Sequence, residues 1–580
     1  MRAKLFACLL IISALCLNIS GQTQAKNETK LETGKAANAQ FYPLSKLKEG
    51  MRGTAWTVFR GNLPEEFNVE ILGIVPGAIG PKQDMIVARL SGGQADRTSV
   101  FAGMSGSPVY IDGKLVGAIS YSFPFSKEPI CGITPIEQIV AIFENNQNLQ
   151  PKQPRAVSFA ELTSTNWKQN FPKNATVKSS LLAGVNSDSP LNALVGQAFQ
   201  PIATPLAFSG FSQETLNLFA PQLAAVGLFP VSAVGGAARI TPLKKANEKT
   251  LLGGTSVSMQ LTRGDYSLAA SGTVTFRDGE KIYAFGHPFL SLGTSDLPMS
   301  ESHVVTVIPN LSNSFKLAVP DSMVGSMTQD RATGVFGNLG QAPKMIPVKI
   351  NLQTSRNQQE TVHFEVAKDD FLTPLLLNIA IYNSIVANER GLGDSTVELT
   401  GEIKLKGQTP IKLERRFDGA NAGQFAALSV AVPVNALLQS RFDNVEISEV
   451  NLNITSLDGG NSATLERISL DRASVKAGET FEIQAFVRTD SGKVFSQKIP
   501  VTIPADTPAG TLSVTVADGG SLQATAASKQ FVPKDLSELV KTINQPKKMT
   551  VFTCRLFALP TARLSVQTNC RICRLQCWQL

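Results

Sequence analysis

The stretch that decides the fold runs Ser99-Val-Phe-Ala-Gly-Met-Ser-Gly-Ser-Pro-Val-Tyr-Ile-Asp-Gly-Lys-Leu-Val-Gly-Ala118. A serine that acts as a nucleophile has to sit on a tight turn, because the same turn must aim backbone N–H groups at the oxyanion forming on the attacked carbonyl. Gly103 and Gly106 supply that turn by tolerating positive φ, and Pro108 stiffens its exit. Residues 109–111 then begin an apolar strand, which Asp112-Gly113 turns into a second one over 115–121. Ser105 is the candidate nucleophile, with the N–H groups of Gly103 and Ser105 as candidate oxyanion donors. The competing reading is a Gly/Ser-rich hairpin loop.

Outward from this turn, residues 51–140 carry short β-type runs at 54–59, 67–75, 84–90, 107–111 and 115–121, followed by a helix over 135–144. This pattern predicts a small β-barrel with the serine near its end. Residues 151–250 read as a bridging α/β region with a helix near 213–225. A second β-rich block, 251–345, predicts strands at 255–261, 266–276, 281–285 and 304–308. Residues 346–442 alternate strands with helices over 371–387 and 423–439, and 445–530 show the short, regularly spaced strands of a β-sandwich-like module. The expected class is mainly β with α+β parts.

The ends differ from the body. Residues 1–25 join a basic start, an apolar run over 5–17 and a small-x-small site at 23–25, the pattern of a secretory signal peptide, and 26–44 read as a flexible leader. Residues 546–580 hold six Lys/Arg, no acid and four of the seven cysteines. Cys570, Cys573 and Cys577 have a metal-like spacing without any histidine nearby, and the abrupt change of composition fits a shifted reading frame better than a zinc fold. The formal net charge of +8 resides in these two ends, so it gives no reason to expect nucleic acid as a partner. Cys131 is the one cysteine of the body, which excludes an internal disulfide there. A periplasmic or secreted protein is expected, without stable membrane insertion once the signal is removed.

A serine hydroxyl needs a base, and three histidines are available. His363 lies in an alternating strand, and His303 precedes the apolar run 304–308. His287 follows a strand and Gly286 and precedes Pro288, so its ring emerges at a rigid strand end. Its alternative role is to cap a hairpin. No phosphate-cradling glycine loop, metal constellation or interleaved basic and aromatic surface occurs, so no cofactor or metal is expected.

Three sets of residues carry a family resemblance: Gly103 to Pro108 with Gly113-Lys114 and Gly117-Ala118; Gly272-Thr273-x-Thr275-Phe276 with Gly286-His287; and Gly325-x-x-x-Gln329-Asp330-x-x-x-Gly334-Val335-Phe336-Gly337-x-Leu339. They resemble the SpoIVB-type serine peptidases, secreted signalling proteases of the chymotrypsin-like clan. The resemblance implies a chymotrypsin-like β-barrel protease region in two segments, a protein or peptide substrate, possible self-cleavage, and a Ser/His pair with a carboxylate. Asp330 matches the family segment and is the first choice for that carboxylate, with Asp84, Asp96 and Asp296 as competitors. The order departs from the family, in which the histidine segment precedes the serine segment; here Ser105 comes first. A catalytically silent envelope or extracellular scaffold on a protease-like fold is the rival expectation.

Overall fold

The computed structural model describes residues 41–123, 126–144, 157–158, 198–233, 240–356, 358–387, 394–442, 445–460, 462–518, 530–531, 533–545, 552–559 and 567–569. The expected signal peptide, most of the leader, residues 159–197 and the cysteine cluster of the tail lie outside them.

Six strands follow one another: β1 (Arg52–Thr57), β2 (Glu65–Gly80), β3 (Gln83–Ser91), β4 (Pro108–Ile111), β5 (Lys114–Ser122) and β6 (Ile130–Pro135). They pair antiparallel in the order β1-β2-β3-β6-β5-β4 and close when β4 returns to β1. Closure leaves no free sheet edge, and inward side chains such as Val69, Ile71, Ile86, Ala88, Ile119 and Ile133 fill the interior. The strand at β6 was absent from the sequence reading, because Cys131-Gly132 interrupts its apolar run; buried on every residue, it completes the barrel. Cys131 is buried there and its burial pushes the thiol well above the ordinary range, so it is an inert core residue.

Two short strands, β7 (Val157–Ser158) and β8 (Gln200–Pro201), lead to β9 (Thr204–Ser209) and β10 (Leu228–Ser232). The helix Gln213–Ala224, capped by the Ser212 side chain, joins these last two. Part of the bridging region thus belongs to the next sheet, since β9 pairs with a strand of the second block. That block contains β11 (Ser256–Gly264), β12 (Ser267–Asp278), β13 (Lys281–Ala284), β14 (Gly293–Ile308), β15 (Phe315–Arg331) and β16 (Gly334–Leu339). Its antiparallel order is β11-β12-β13-β16-β15-β14, and β14 returns to β11. The two blocks are therefore closed barrels with one strand order. This is a chymotrypsin-like fold, mainly β as expected.

The barrels pack through Leu115, Ala118, Ile136, Ile139 and Phe143 of the first against Tyr283 and Phe336 of the second. Residues 41–44, assigned above to a flexible leader, are part of this fold: Tyr42 N–H donates to Leu115 O at 2.9 Å, and the Phe41 ring meets Phe276 edge-on. An apolar ring at 41 finds a place in the interface, which a purely polar leader would not.

The sheet continues from β11 through β18 (Gln359–Ala367), β17 (Met345–Gln353), β21 (Ile447–Asp458) and β19 (Ser395–Leu405) to β20 (Ile411–Gly419). The helices Leu372–Val386 and Ala422–Leu438 belong to this α+β unit. β21 was expected in the β-sandwich module; instead it runs parallel to β17 and antiparallel to β19 in the middle of the α+β sheet. The small module begins after it, with β22 (Ala463–Leu470), β23 (Thr480–Thr489) and β24 (Val494–Thr502) in one sheet and β25 (Thr511–Asp518) outside that sheet. Phe481, Ile483, Ile499, Val501 and Val516 share a core between the two. A short β26 (Gln530–Phe531) pairs with β7, and the helix Leu536–Asn544 starts at an Asp535 cap. In the tail, β27 (Phe552–Leu559) pairs with β25 over eight positions and β28 (Gln567–Asn569) pairs with β27, so this part of the basic segment forms a second three-stranded sheet with β25.

Candidate active site

Ser105 lies between the third and fourth strands of the first barrel, and His287 lies between the third and fourth strands of the second. The common strand order brings these equivalent loops together at the interface. Gly103 and Gly106 have φ of 91° and 94°, as the turn requires. Gly106 is also a point of close approach, where a Cβ would overlap the Thr273 carbonyl oxygen and lie 2.5 Å from Phe285 N. The serine turn and the histidine segment are thus in direct backbone contact.

Within the turn, Met104 N–H donates to Phe101 O and Gly106 N–H to Ile119 O. The N–H groups of Gly103 and Ser105 have no hydrogen-bond acceptor among the described residues. Free donors on both sides of Met104 are what an oxyanion site needs. Ser107 Oγ donates to Met104 O at 2.6 Å and is occupied, which leaves Ser105 as the turn's hydroxyl without a partner among the described residues.

The histidine segment is strained. Phe285 has φ of 70°, a region that costs a bulky residue about 1–3 kcal/mol, and Gly286 N–H closes back on Ala284 O at 2.9 Å. Packing holds this γ-turn in place. The Phe285 ring is fully buried against Gly272, where a larger residue would collide with it, and Thr134 Oγ1 of the first barrel donates to Gly286 O at 2.7 Å. Gly334 comes close behind, near Ala284 O and Gly286 N.

His287 Nδ1 lies 2.8 Å from Pro288 O. A carbonyl can only accept, so Nδ1 carries the hydrogen and Nε2 presents its lone pair. That nitrogen is buried with no hydrogen-bond partner among the described residues, as is Ser105 Oγ. Burial pushes the His287 ionisation down to about 4, which keeps the ring neutral at ordinary pH. The two candidate groups are brought to one interface without a hydrogen bond between them.

Asp330, at the end of β15, does not bond to His287. Its Oδ1 accepts from Phe289 N–H at 2.8 Å, and its Oδ2 accepts from Leu290 and Leu292 N–H at 2.8 and 3.0 Å. The carboxylate is therefore a template for the loop that follows the histidine, and the tautomer is set by Pro288 O. Burial raises its ionisation despite the backbone donors. The competitors are occupied elsewhere: Asp84 accepts from Gly77 N–H, Asp96 from Gly92 N–H, and Asp296 from Ser326 Oγ and Lys344 N–H. His303 pairs with Asn62 and His363 lies on an exposed strand face.

Sequence reasoning missed the roles of Thr273 and Thr275. Both lie on β12, two residues apart and hence on one face. Thr273 N–H donates to Ser105 O at 2.8 Å and its hydroxyl to Gly103 O at 3.1 Å, while the Thr275 hydroxyl donates to Gly106 O at 2.8 Å. The Gly-Thr-x-Thr spacing was the available signal: it names one glycine that admits a ring and two hydroxyls aimed at the serine turn. Lys316 was also missed. It is fully buried at the start of β15, with its Cβ packed on Gly103.

Residues 14–135 match the family model described as SpoIVB peptidase S55. The match supports the resemblance to SpoIVB-type peptidases over a stretch that takes in the first barrel and the serine turn, and it ends before the histidine segment. No curated protein and no solved structure matches the chain.

Proposed function

We propose that the chain is an exported serine endopeptidase in which Ser105 is the nucleophile and His287 the general base. The observation that carries this reading is the pair of buried atoms, Ser105 Oγ and His287 Nε2, that have no partner among the described residues, on loops that meet where the barrels meet. A buried polar atom without a partner costs about 1–3 kcal/mol, and two such atoms in adjoining loops are accounted for by a reaction that uses both.

In the first step Oγ attacks the peptide carbonyl as its proton passes to Nε2. The oxyanion sits on the N–H groups of Gly103 and Ser105. The imidazolium then returns its proton to the leaving amine as the C–N bond breaks. Water, deprotonated by the same nitrogen, frees the acyl group and restores Ser105. Pro288 O holds the ring through Nδ1 throughout, and Asp330 keeps the loop carrying that carbonyl in place. A protein or peptide is the substrate implied by the peptidase family match. Export rests on the signal-like pattern of residues 1–25.

The second reading, a silent scaffold, draws on the closure of the site: Ser105 is 0% and His287 2% exposed, so a peptide enters only after the covering segments part. A fluorophosphonate probe separates the two readings. Labelling of the wild type at one site, lost in Ser105→Ala with a fall in hydrolysis on the order of 10⁶-fold, is the expected result. Equal labelling of the alanine variant removes Ser105 from the site, and no labelling at all favours the scaffold.

A further inference from the structure

Lys316 is buried where three pieces of the molecule meet: β1 of the first barrel, β12 of the second and the serine turn. Backbone bonds tie it to the turn, because Lys316 N–H donates to Ala102 O and Ala102 N–H to Ser314 O. Its Nζ lies 3.2 Å from Thr273 Oγ1 and 3.4 Å from Thr57 Oγ1, and the two hydroxyls are 3.3 Å apart. Thr273 Oγ1 is in turn 3.1 Å from Gly103 O.

Each hydroxyl has one hydrogen, a carbonyl only accepts, and an ammonium only donates. These constraints fix the direction of the network: Nζ donates to both threonines, Thr57 donates to Thr273, and Thr273 spends its hydrogen on Gly103 O. We propose that Lys316 is a positioning residue for the oxyanion turn, its ammonium acting as a donor-only anchor that commits the Thr273 hydroxyl to Gly103 O and so fixes the Gly103–Met104 peptide. The role in catalysis rests on the assignment of Ser105 as nucleophile.

Burial alone moves the ionisation of this lysine, down to about 7. The groups shown against it, Thr57, Thr273 and Gly103, are neither titratable nor charged, and among the described residues no charged group adds to the effect of burial. As pH rises through neutrality the amine gains a lone pair that competes for the Thr273 hydrogen, and the anchor on Gly103 O is loosened. On the acid side the same site requires neutral His287. The expected profile is a bell between about 4 and about 7.

The sequence contains two Gly-Met bonds, Gly50-Met51 and Gly103-Met104. Protein labelled with carbonyl ¹³C-glycine and ¹⁵N-methionine therefore gives two correlated amide signals, one on the turn and one as an internal reference. The Met104 signal should titrate near pH 7 in the wild type and lose that inflection in Lys316→Met and in Thr273→Val, with Met51 unmoved. A Met104 signal that is flat in the wild type, or titrates alike in Lys316→Met, overturns the proposal whether or not the protein is a peptidase. If the fluorophosphonate reaction is present, its rate should fall about tenfold from pH 6 to pH 8 in the wild type and stay level in Lys316→Met. A retained alkaline limb in that variant overturns the catalytic part.

Discussion

The two barrels have the same strand order and place their candidate groups in the same loop, yet they hold those loops by different means. In the first barrel the serine turn is a glycine-made bend whose Gly103 and Ser105 N–H groups have no acceptor among the described residues, and its Gly103, Ser105 and Gly106 carbonyls are tied from outside, by Thr273 and Thr275 of the second barrel. In the second barrel the histidine segment is a strained γ-turn whose continuation is tied from within, by Asp330. The first barrel returns a single hydroxyl, Thr134, to Gly286 O. The difference teaches that the serine turn depends on the partner barrel, whereas the histidine loop is largely assembled by its own. Each barrel is one contiguous stretch, and the two candidate loops meet only where the barrels touch.

The sharpest way to break this comparison is at Gly106, where the two loops touch. Gly106→Ala forces a Cβ into the Thr273 carbonyl and demands a residue at φ of 94°, so a stability loss of about 3 kcal/mol or more is expected in urea unfolding. Stability within about 0.5 kcal/mol of the wild type would mean that the loops do not touch as described.

A comparable effect is expected from pH. The folded protein holds His287 near 4 against an ordinary 6.5, so below 6.5 the unfolded chain binds a proton that the folded chain refuses. Stability contributed by the neutral ring is present above about 6.5 and lost as pH falls to about 4, by about 3 kcal/mol in all. Urea unfolding of the wild type and His287→Gln at pH 7 and pH 4 isolates this contribution; parallel losses in both proteins would place the imidazole in a wetter setting.

The smallest effect tests the outside grip. Thr275→Val removes one hydrogen bond to Gly106 O and leaves an acceptor buried, with an expected cost of about 1 kcal/mol and a lower rate of probe labelling. An unchanged labelling rate would show that the second barrel supports the turn through Thr273 alone.

Much of this was legible in the chain. The run from Gly103 to Pro108, the following strand, the Asp112-Gly113 hairpin and the position of His287 at a strand end are local facts, set by glycine and proline geometry and by apolar alternation over a few residues. What the sequence could not settle is which groups those loops would meet. Asp330 lies in the segment expected to supply a carboxylate, but chain proximity does not say whether its oxygens face an imidazole or a row of backbone N–H groups. The barrel closure decided for the latter. The placement of β21 beside β17 depends in the same way on a parallel pairing about 100 residues apart, for which local alternation carries no signal. Lys316 is the plainest case: a lysine at the start of a strand reads as solvated, since lysine is rarely buried. Only the docking of two barrels encloses it beneath the serine turn, because burial is a property of the surfaces that meet and not of the residues that precede and follow.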